Sequence, residues 1–260
     1  MKYLLLIFST VLFFSCNQKT KQIEHKKLGL KIEQPLEVKP IEDTLKIISI
    51  GYGDTYDSLP KLKFDTLSKS DFDQIQSKKF LVQKHLKEKG NYFFIKTDKS
   101  NHQFKKLKDY GGEDSWSGYE FFGFYPTLNL YAITSNSTAE SLGFSDLILL
   151  DSLTDYSYGI IGFGDGSVEL PIPSPNFKYL VYYYNSVYEH KNAAIGILKI
   201  NDKSNPNTYL KPYASFNSKE FAIEEMKWKT DHCLYVKGYE EVYEKEIWVK
   251  KYGYYQTTFE

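Results

Sequence analysis

Ser174-Pro175-Asn176-Phe177-Lys178-Tyr179-Leu180 is a tight polar turn that opens directly into an apolar strand. Pro175 presets the turn and Asn176 tolerates its backbone. Two other segments have the same form: Tyr125-Pro126-Thr127-Leu128-Asn129-Leu130-Tyr131 and Trp228-Lys229-Thr230-Asp231-His232-Cys233-Leu234. The three are spaced by 49 residues (125 to 174) and 54 residues (174 to 228). After each comes a polar loop and a second apolar strand: Leu147-Ile148-Leu149-Leu150, then Ile195-Gly196-Ile197-Leu198, then Ile247-Trp248-Val249. A period of this length with several strands per unit marks a repeated β architecture.

The rest of the chain from Tyr92 agrees. Tyr92–Lys96, Tyr119–Phe124, Leu128–Thr134, Tyr179–Tyr184, Ala194–Ile200 and Cys233–Val236 are short runs rich in Tyr, Phe, Ile and Val. Clusters of Asn, Asp, Ser, Gly and Pro separate them, which is the signature of strands and turns. Helical segments do not alternate with them, so a doubly wound α/β fold is excluded. Upstream, Leu45–Ile50 reads as the first strand, ended by Gly51 and Gly53. Between about 68 and 89 the apolar residues Phe72, Ile75, Phe80, Leu81 and Leu86 are spaced closer to a helical period. Ser70 would cap that helix and Gly90 would close it.

Ser174–Leu180 resembles the "SPDGKYLA" turn-and-strand motif of TolB-like and WD40-like propeller blades, with Phe177 in place of the usual Gly. Leu147–Thr154 is similar to a blade strand followed by a "D-x-x-T" turn, and residues 118–260 resemble uncharacterised Bacteroidetes lipoproteins with one such blade. The resemblance implies a mainly β, antiparallel, small or incomplete propeller-like domain over residues 46–260, with one short helical segment near its N-terminus. The alternative is an open antiparallel sheet or a β-sandwich.

Residues 1–16 read MKYLLLIFSTVLFFSC: Lys2, an apolar core from Tyr3 to Phe14, Ser15 and Cys16. That core is the h-region of a secretory signal, too short to span a bilayer. Its end resembles a bacterial lipobox of the Bacteroidetes type, with Phe14 departing from the usual small residue. The resemblance implies cleavage before Cys16, diacylglycerol on its sulfur and attachment to a membrane. Residues 17–45 are rich in Lys, Glu and Gln, contain Pro35 and Pro40 and lack aromatics, as suits an extended tether. The segment Asn17–Lys21 lacks the acidic cluster of surface-exported Bacteroidetes lipoproteins, which favours the periplasmic face of the outer membrane.

Composition narrows the function by exclusion. The 33 cations are all lysine and balance 33 acids, so there is no electrostatic footprint for nucleic acid and no guanidinium fork for phosphate. With Cys16 acylated, Cys233 is the one remaining thiol; its run Cys233–Val236 reads as a buried small hydrophobe, not a nucleophile. His25, His85, His102, His190 and His232 have no metal-protease or deaminase spacing, and no GxSxG, GxxxxGK[ST] or GxGxxG occurs. No catalytic residue, metal or cofactor is assigned. Asp165, in Gly162–Ser167, is a weak calcium candidate in what reads as a hairpin turn. Trp116 and Tyr119 sit in the polar, Gly-rich stretch Gly111–Tyr119, which reads as an exposed loop able to contact a partner. Asp43-Thr44-Leu45, Asp57-Ser58-Leu59, Asp65-Thr66-Leu67 and Asp151-Ser152-Leu153 match the Asp-[Ser/Thr]-aliphatic O-glycosylation pattern of Bacteroidetes, on Thr44, Ser58, Thr66 and Ser152. The expectation is a lipid-anchored envelope protein that binds a protein or glycan partner without catalysis. The alternative is a hydrolase with its site where blade loops converge. An exposed aromatic patch would favour the first, and titratable groups clustered in a concave pocket the second.

Overall fold

The runs Leu147–Leu150 and Tyr179–Tyr184 are apolar without alternation, as strands are when both faces are covered. In the computed structural model both faces are covered. It describes residues 45–51, 53–112, 115–139, 142–164, 169–186 and 191–260, all within the compact unit formed by residues 42–260. Cys16, Thr44 and Asp165 lie outside the described residues.

Four elements come first: β1 (Lys46–Ile50), α1 (Gly53–Ser58), β2 (Asp65–Thr66) and α2 (Lys69–Asp73). Four sheets then follow in chain order. The first consists of β3 (Lys87–Lys89), β4 (Tyr92–Lys96) and β5 (Asn101–Lys105). The second is built from β6 (Lys108–Asp109), β7 (Trp116–Tyr125), β8 (Leu130–Ala139), β9 (Leu142–Asp151) and β10 (Tyr156–Ile160), with β1 added parallel to β10. The third holds β11 (Ile172–Pro173), β12 (Tyr179–Asn185), β13 (Ala193–Ile200) and, after α3 (Pro206–Tyr209), β14 (Leu210–Ser218). The fourth holds β15 (Ala222–Thr230), β16 (Cys233–Glu244) and β17 (Ile247–Thr258), with β2 on the far edge of β17. The three repeated turns join β7 to β8, β11 to β12 and β15 to β16, and the three second runs lie in the next strands, β9, β13 and β17.

Core layers lie between successive sheets. Phe93, Ile95 and Phe104 of the first sheet meet Tyr131, Ile133, Ile148 and Leu150 of the second. The opposite face of β8 and β9, with Leu130, Ala132, Leu147 and Leu149, meets Leu180, Tyr182 and Leu198 of the third. Tyr179, Val181, Ile195 and Ile197 turn the other way, onto Met226, Trp228, Leu234 and Val236 of the fourth. Burying each such side chain contributes about 1.5–3 kcal/mol, so the two middle sheets dominate the core. Among the described residues no such layer joins the fourth sheet to the first. The fold is therefore mainly antiparallel β, an open and incomplete propeller-like stack.

At one end of the stack, each layer is tied by a buried aspartate. Asp155, 6% exposed, accepts hydrogen bonds from Thr97 Oγ1 at 2.6 Å and Ser100 Oγ at 2.9 Å and pairs with His102 Nε2 at 2.6 Å, joining second sheet to first. Asp151, fully buried at the end of β9, takes the Lys203 ammonium at 2.6 Å from the β13–β14 connection. Burial lowers the Lys203 pKa, and the bond to Asp151 opposes that shift. Asp231 accepts from the Asn176 amide at 2.9 Å and its side chain at 3.0 Å, which locks the first turn of the third sheet to that of the fourth. Buried carboxylates persist only where such donors satisfy them.

Residues 45–86 lace the sheets together. Leu62 N donates to Ser215 O at 2.9 Å on β14, and Ser215 N donates to Pro60 O at 3.0 Å. After β2 the chain returns across the front: Ser77 Oγ donates to Glu225 at 2.6 Å, and Val82 and Phe124 exchange backbone bonds of 2.9 Å. Gly123 makes that exchange possible, since a Cβ there would lie 2.6 Å from Leu81 and its φ is +150°. The expected helix over 68–89 is corrected here: only Lys69–Asp73 is helical, and Ser68 rather than Ser70 caps it, accepting from Asp71 N at 3.1 Å. Phe80 and Leu81 pack against the layer between second and third sheets and Leu86 against the layer between first and second. Their spacing thus reflects separate contacts, not one helical face. Gly90, at φ +57°, turns β3 into β4 instead of ending a helix. The short helices α1 and α3 were not expected from the sequence.

Candidate functional site

Asp151 and Asp155 lie at the β9–β10 turn and Asp231 in the β15–β16 turn, so the β8–β9, β12–β13 and β16–β17 hairpins leave the stack at its opposite end. Lys191 before β13 meets Glu240 of β16 at 3.0 Å, so two of these tips adjoin. The β16–β17 hairpin is the longest. β15 ends its pairing at Ala222–Tyr239, while β16 and β17 continue together to Glu244–Ile247. The pairs from Glu240–Lys251 to Glu244–Ile247 therefore form a two-stranded ribbon beyond the third strand.

Cross-strand partners share a face of such a ribbon. Tyr239, Glu241, Tyr243, Trp248, Lys250 and Tyr252 share one, and the Tyr243 and Trp248 rings pair at 5.3 Å. Tyr243 and Ile247 are each 61% exposed, Trp248 56% and Tyr252 47%. Lysines sit on the flanking rings: Lys250 Nζ lies 3.8 Å from the Tyr239 centroid and Lys237 4.2 Å from that of Tyr252. The equivalent β8–β9 tip exposes Leu142 and Phe144. Beside it, Trp116 exchanges hydrogen bonds with Thr138 Oγ1, accepting at 3.0 Å and donating at 3.2 Å. This tip end gathers large apolar groups that a folded chain ordinarily buries.

Of the two aromatics singled out in the sequence, Trp116 is exposed and Tyr119 is not. Both are corrected from loop to strand, since β7 begins at Trp116. Tyr119 is half-buried, packed edge-on against Phe104 at 5.1 Å. Gly118 meets Lys106 O so closely that a Cβ would lie 2.5 Å away, while Gly111 and Gly112 take positive φ of +79° and +96°. Cys233 is half-buried at the start of β16, where full burial was expected. Ser58 on α1 and Thr66 on β2 are exposed; Ser152 is half-buried, its amide and carbonyl bonded to Asn129 and Asp98. The β16–β17 tip was missed. Its signal was present in Tyr239, Tyr243, Trp248 and Tyr252, aromatics four residues apart on each side of the turn Lys245-Glu246. Which of them lacked cover depends on where β15 ends.

His102 was also missed as a site member, because its partner Asp155, which also accepts from Thr97 and Ser100 of the β4–β5 turn, lies more than fifty residues away in the β9–β10 turn. Both hydroxyls donate to the carboxylate. Burial raises the Asp155 pKa, but the bonds from Thr97, His102 and Ser100 outweigh it and hold the carboxyl below its ordinary value. His102 is 3% exposed at a sheet junction, so the cluster acts as a tie. Among the described residues no group of three or more His, Cys, Asp or Glu is arranged to hold a metal ion. No family model, curated protein or solved structure matches the chain.

Proposed function

We propose that the chain is an envelope lipoprotein, anchored through Cys16, whose folded domain is a non-catalytic binding module for a protein partner. The carrying observation is the tip end, with Tyr243, Ile247 and Trp248 between 56% and 61% exposed on a ribbon outside the core and Tyr252 47% exposed at its base. Tyrosine and tryptophan lead the residues that dominate protein interfaces, and the aliphatic Ile247 and Leu142 suit a protein surface better than a sugar ring. The lipobox-like ending at Cys16 supports anchoring, and the acid-poor Asn17–Lys21 supports the periplasmic face of the outer membrane. No described helix is long and apolar enough to cross a membrane. Modification of exposed Ser58 and Thr66 in their Asp-Ser-Leu and Asp-Thr-Leu contexts belongs to the same proposal.

Two experiments test it. Palmitate-analogue labelling of wild type and Cys16→Ala reads the anchor; label retained by the mutant refutes it. Quantitative co-purification after crosslinking compares wild type with Tyr243→Ala/Trp248→Ala. Loss of one reproducible protein partner is expected, and an unchanged partner profile would overturn the assignment of the tip.

A further inference from the structure

Residues 74–81 bridge a groove of about 740 Å³ on the front of the third and fourth sheets. Its floor is formed by Tyr125, Leu170, Ile172, Met226 and Trp228. The floor's two polar handles are already used within the protein: Trp228 Nε1 donates to Ile172 O at 2.9 Å and the Tyr125 hydroxyl to Pro171 O at 2.7 Å. The floor is therefore chemically apolar, although Tyr183, Gln74 and Gln76 also line the groove. Concavities of this size with apolar walls and few polar groups are the ordinary form of small-molecule sites.

The rim is cationic. Lys78 and Lys79 border the groove from the strap and Lys227 and Lys229 from β15, against two acids, Glu224 and Glu225. Both acids are engaged: Glu224 by Lys250 at 2.9 Å, Glu225 by the Ser77 hydroxyl at 2.6 Å and Lys227 at 3.6 Å. The strap's nearest backbone bonds are at its ends, Ile75 N to Phe72 O at 3.2 Å and the Val82–Phe124 exchange. We propose that this groove binds an amphipathic anion, with an acyl chain along the floor and its carboxylate or phosphate at the lysine rim. Lys250 of the ribbon ties to Glu224 on the rim, but the exposed tip residues Tyr243, Ile247, Trp248 and Tyr252 do not line the groove.

The test uses the full chain carrying Trp116→Phe and Trp248→Phe, so that Trp228 is the sole indole reporter. Decanoate and decyl phosphate, kept below micelle formation, should each give a saturable change in its fluorescence, and decanol a weaker one. The better of the two anions tells a free fatty acid from a phosphate-headed lipid as the natural source. Lys78→Glu/Lys79→Glu, on the exposed strap, should weaken both anions by about tenfold and favour decyltrimethylammonium. Lys229→Glu, exposed on β15, should act in the same direction and guards against a local effect on the strap. Equal binding of decanol and decanoate, indifference to charge reversal, or no saturable response to either anion would overturn the proposal.

Discussion

Replacing Asp155 with Ala should release the first sheet from the second. The carboxylate takes hydrogen bonds from Thr97 and Ser100 and pairs with His102, itself 3% exposed. Breaking a buried, hydrogen-bonded pair from one side costs about 3–5 kcal/mol. Asp155→Asn keeps one acceptor oxygen and the shape, and should cost about 1.5–3 kcal/mol, the range for a charged hydrogen bond. At about 2–4 °C per kcal/mol for a domain of this size, the alanine variant should melt roughly 6–20 °C lower. Urea unfolding followed by circular dichroism reads the free energy. Hydrogen exchange locates it: Phe93, Ile95 and Phe104 amides should lose protection before those of β12 and β13. The acid dependence has a definite sign. Burial raises the Asp155 pKa but its hydrogen bonds lower it more, so the folded value lies below the unfolded one. Its contribution is therefore complete above the ordinary carboxylate value of about 4 and is lost as pH falls through the folded value. The gap between wild type and Asp155→Asn should be constant at neutral pH and close in acid. A gap under about 1 kcal/mol at pH 7, or one that persists at pH 2, would refute the reasoning.

Lys203→Met should cost about 3–5 kcal/mol by leaving Asp151 buried without its cation, measured by the same unfolding assay; a cost below about 1 kcal/mol would contradict the tie. Gly123→Ala should expel Leu81, which a Cβ would approach to 2.6 Å, and speed exchange of the Val82 amide while leaving β16 unchanged. The overpacking should cost about 1–3 kcal/mol. Protein purified from its native host should exceed the mass of the acylated chain that begins at Cys16, with Ser58→Ala and Thr66→Ala each removing a step and Ser152→Ala none; a wild-type mass equal to that of the acylated chain would end that proposal.

Much of the sheet order was legible because the repeat is local. Tyr125–Tyr131, Ser174–Leu180 and Trp228–Leu234 proved to be equivalent hairpins, and Leu147–Leu150 and Ile195–Leu198 equivalent strands. Their unbroken apolar runs carried the information that both faces are covered. The N-terminal strap was illegible for the opposite reason. Phe72, Phe80 and Leu86 each serve a different contact, so the spacing among them has no single period, and only Lys69–Asp73 of the expected 68–89 helix forms. The first sheet shows clean alternation in Tyr92–Lys96 but lacks the turn motif, which left it outside the repeat. At the tip, Tyr243 and Tyr182 look alike in sequence; one is 61% exposed and the other fully buried because only Tyr182 has a sheet on each side. Trp116 was found through its polar, Gly-rich neighbours, although Gly118 serves a close strand crossing and Gly111 and Gly112 serve backbone turns of positive φ.

The binding claim is tested most directly by a photoreactive residue placed in turn at Trp248, Tyr252 and Lys89, in cells, with adducts identified by mass spectrometry. Lys89 is also exposed but lies on the edge of the first sheet. The account predicts one shared protein adduct at 248 and 252 and none at 89. The same adducts at all three positions, or none at 248, would contradict it.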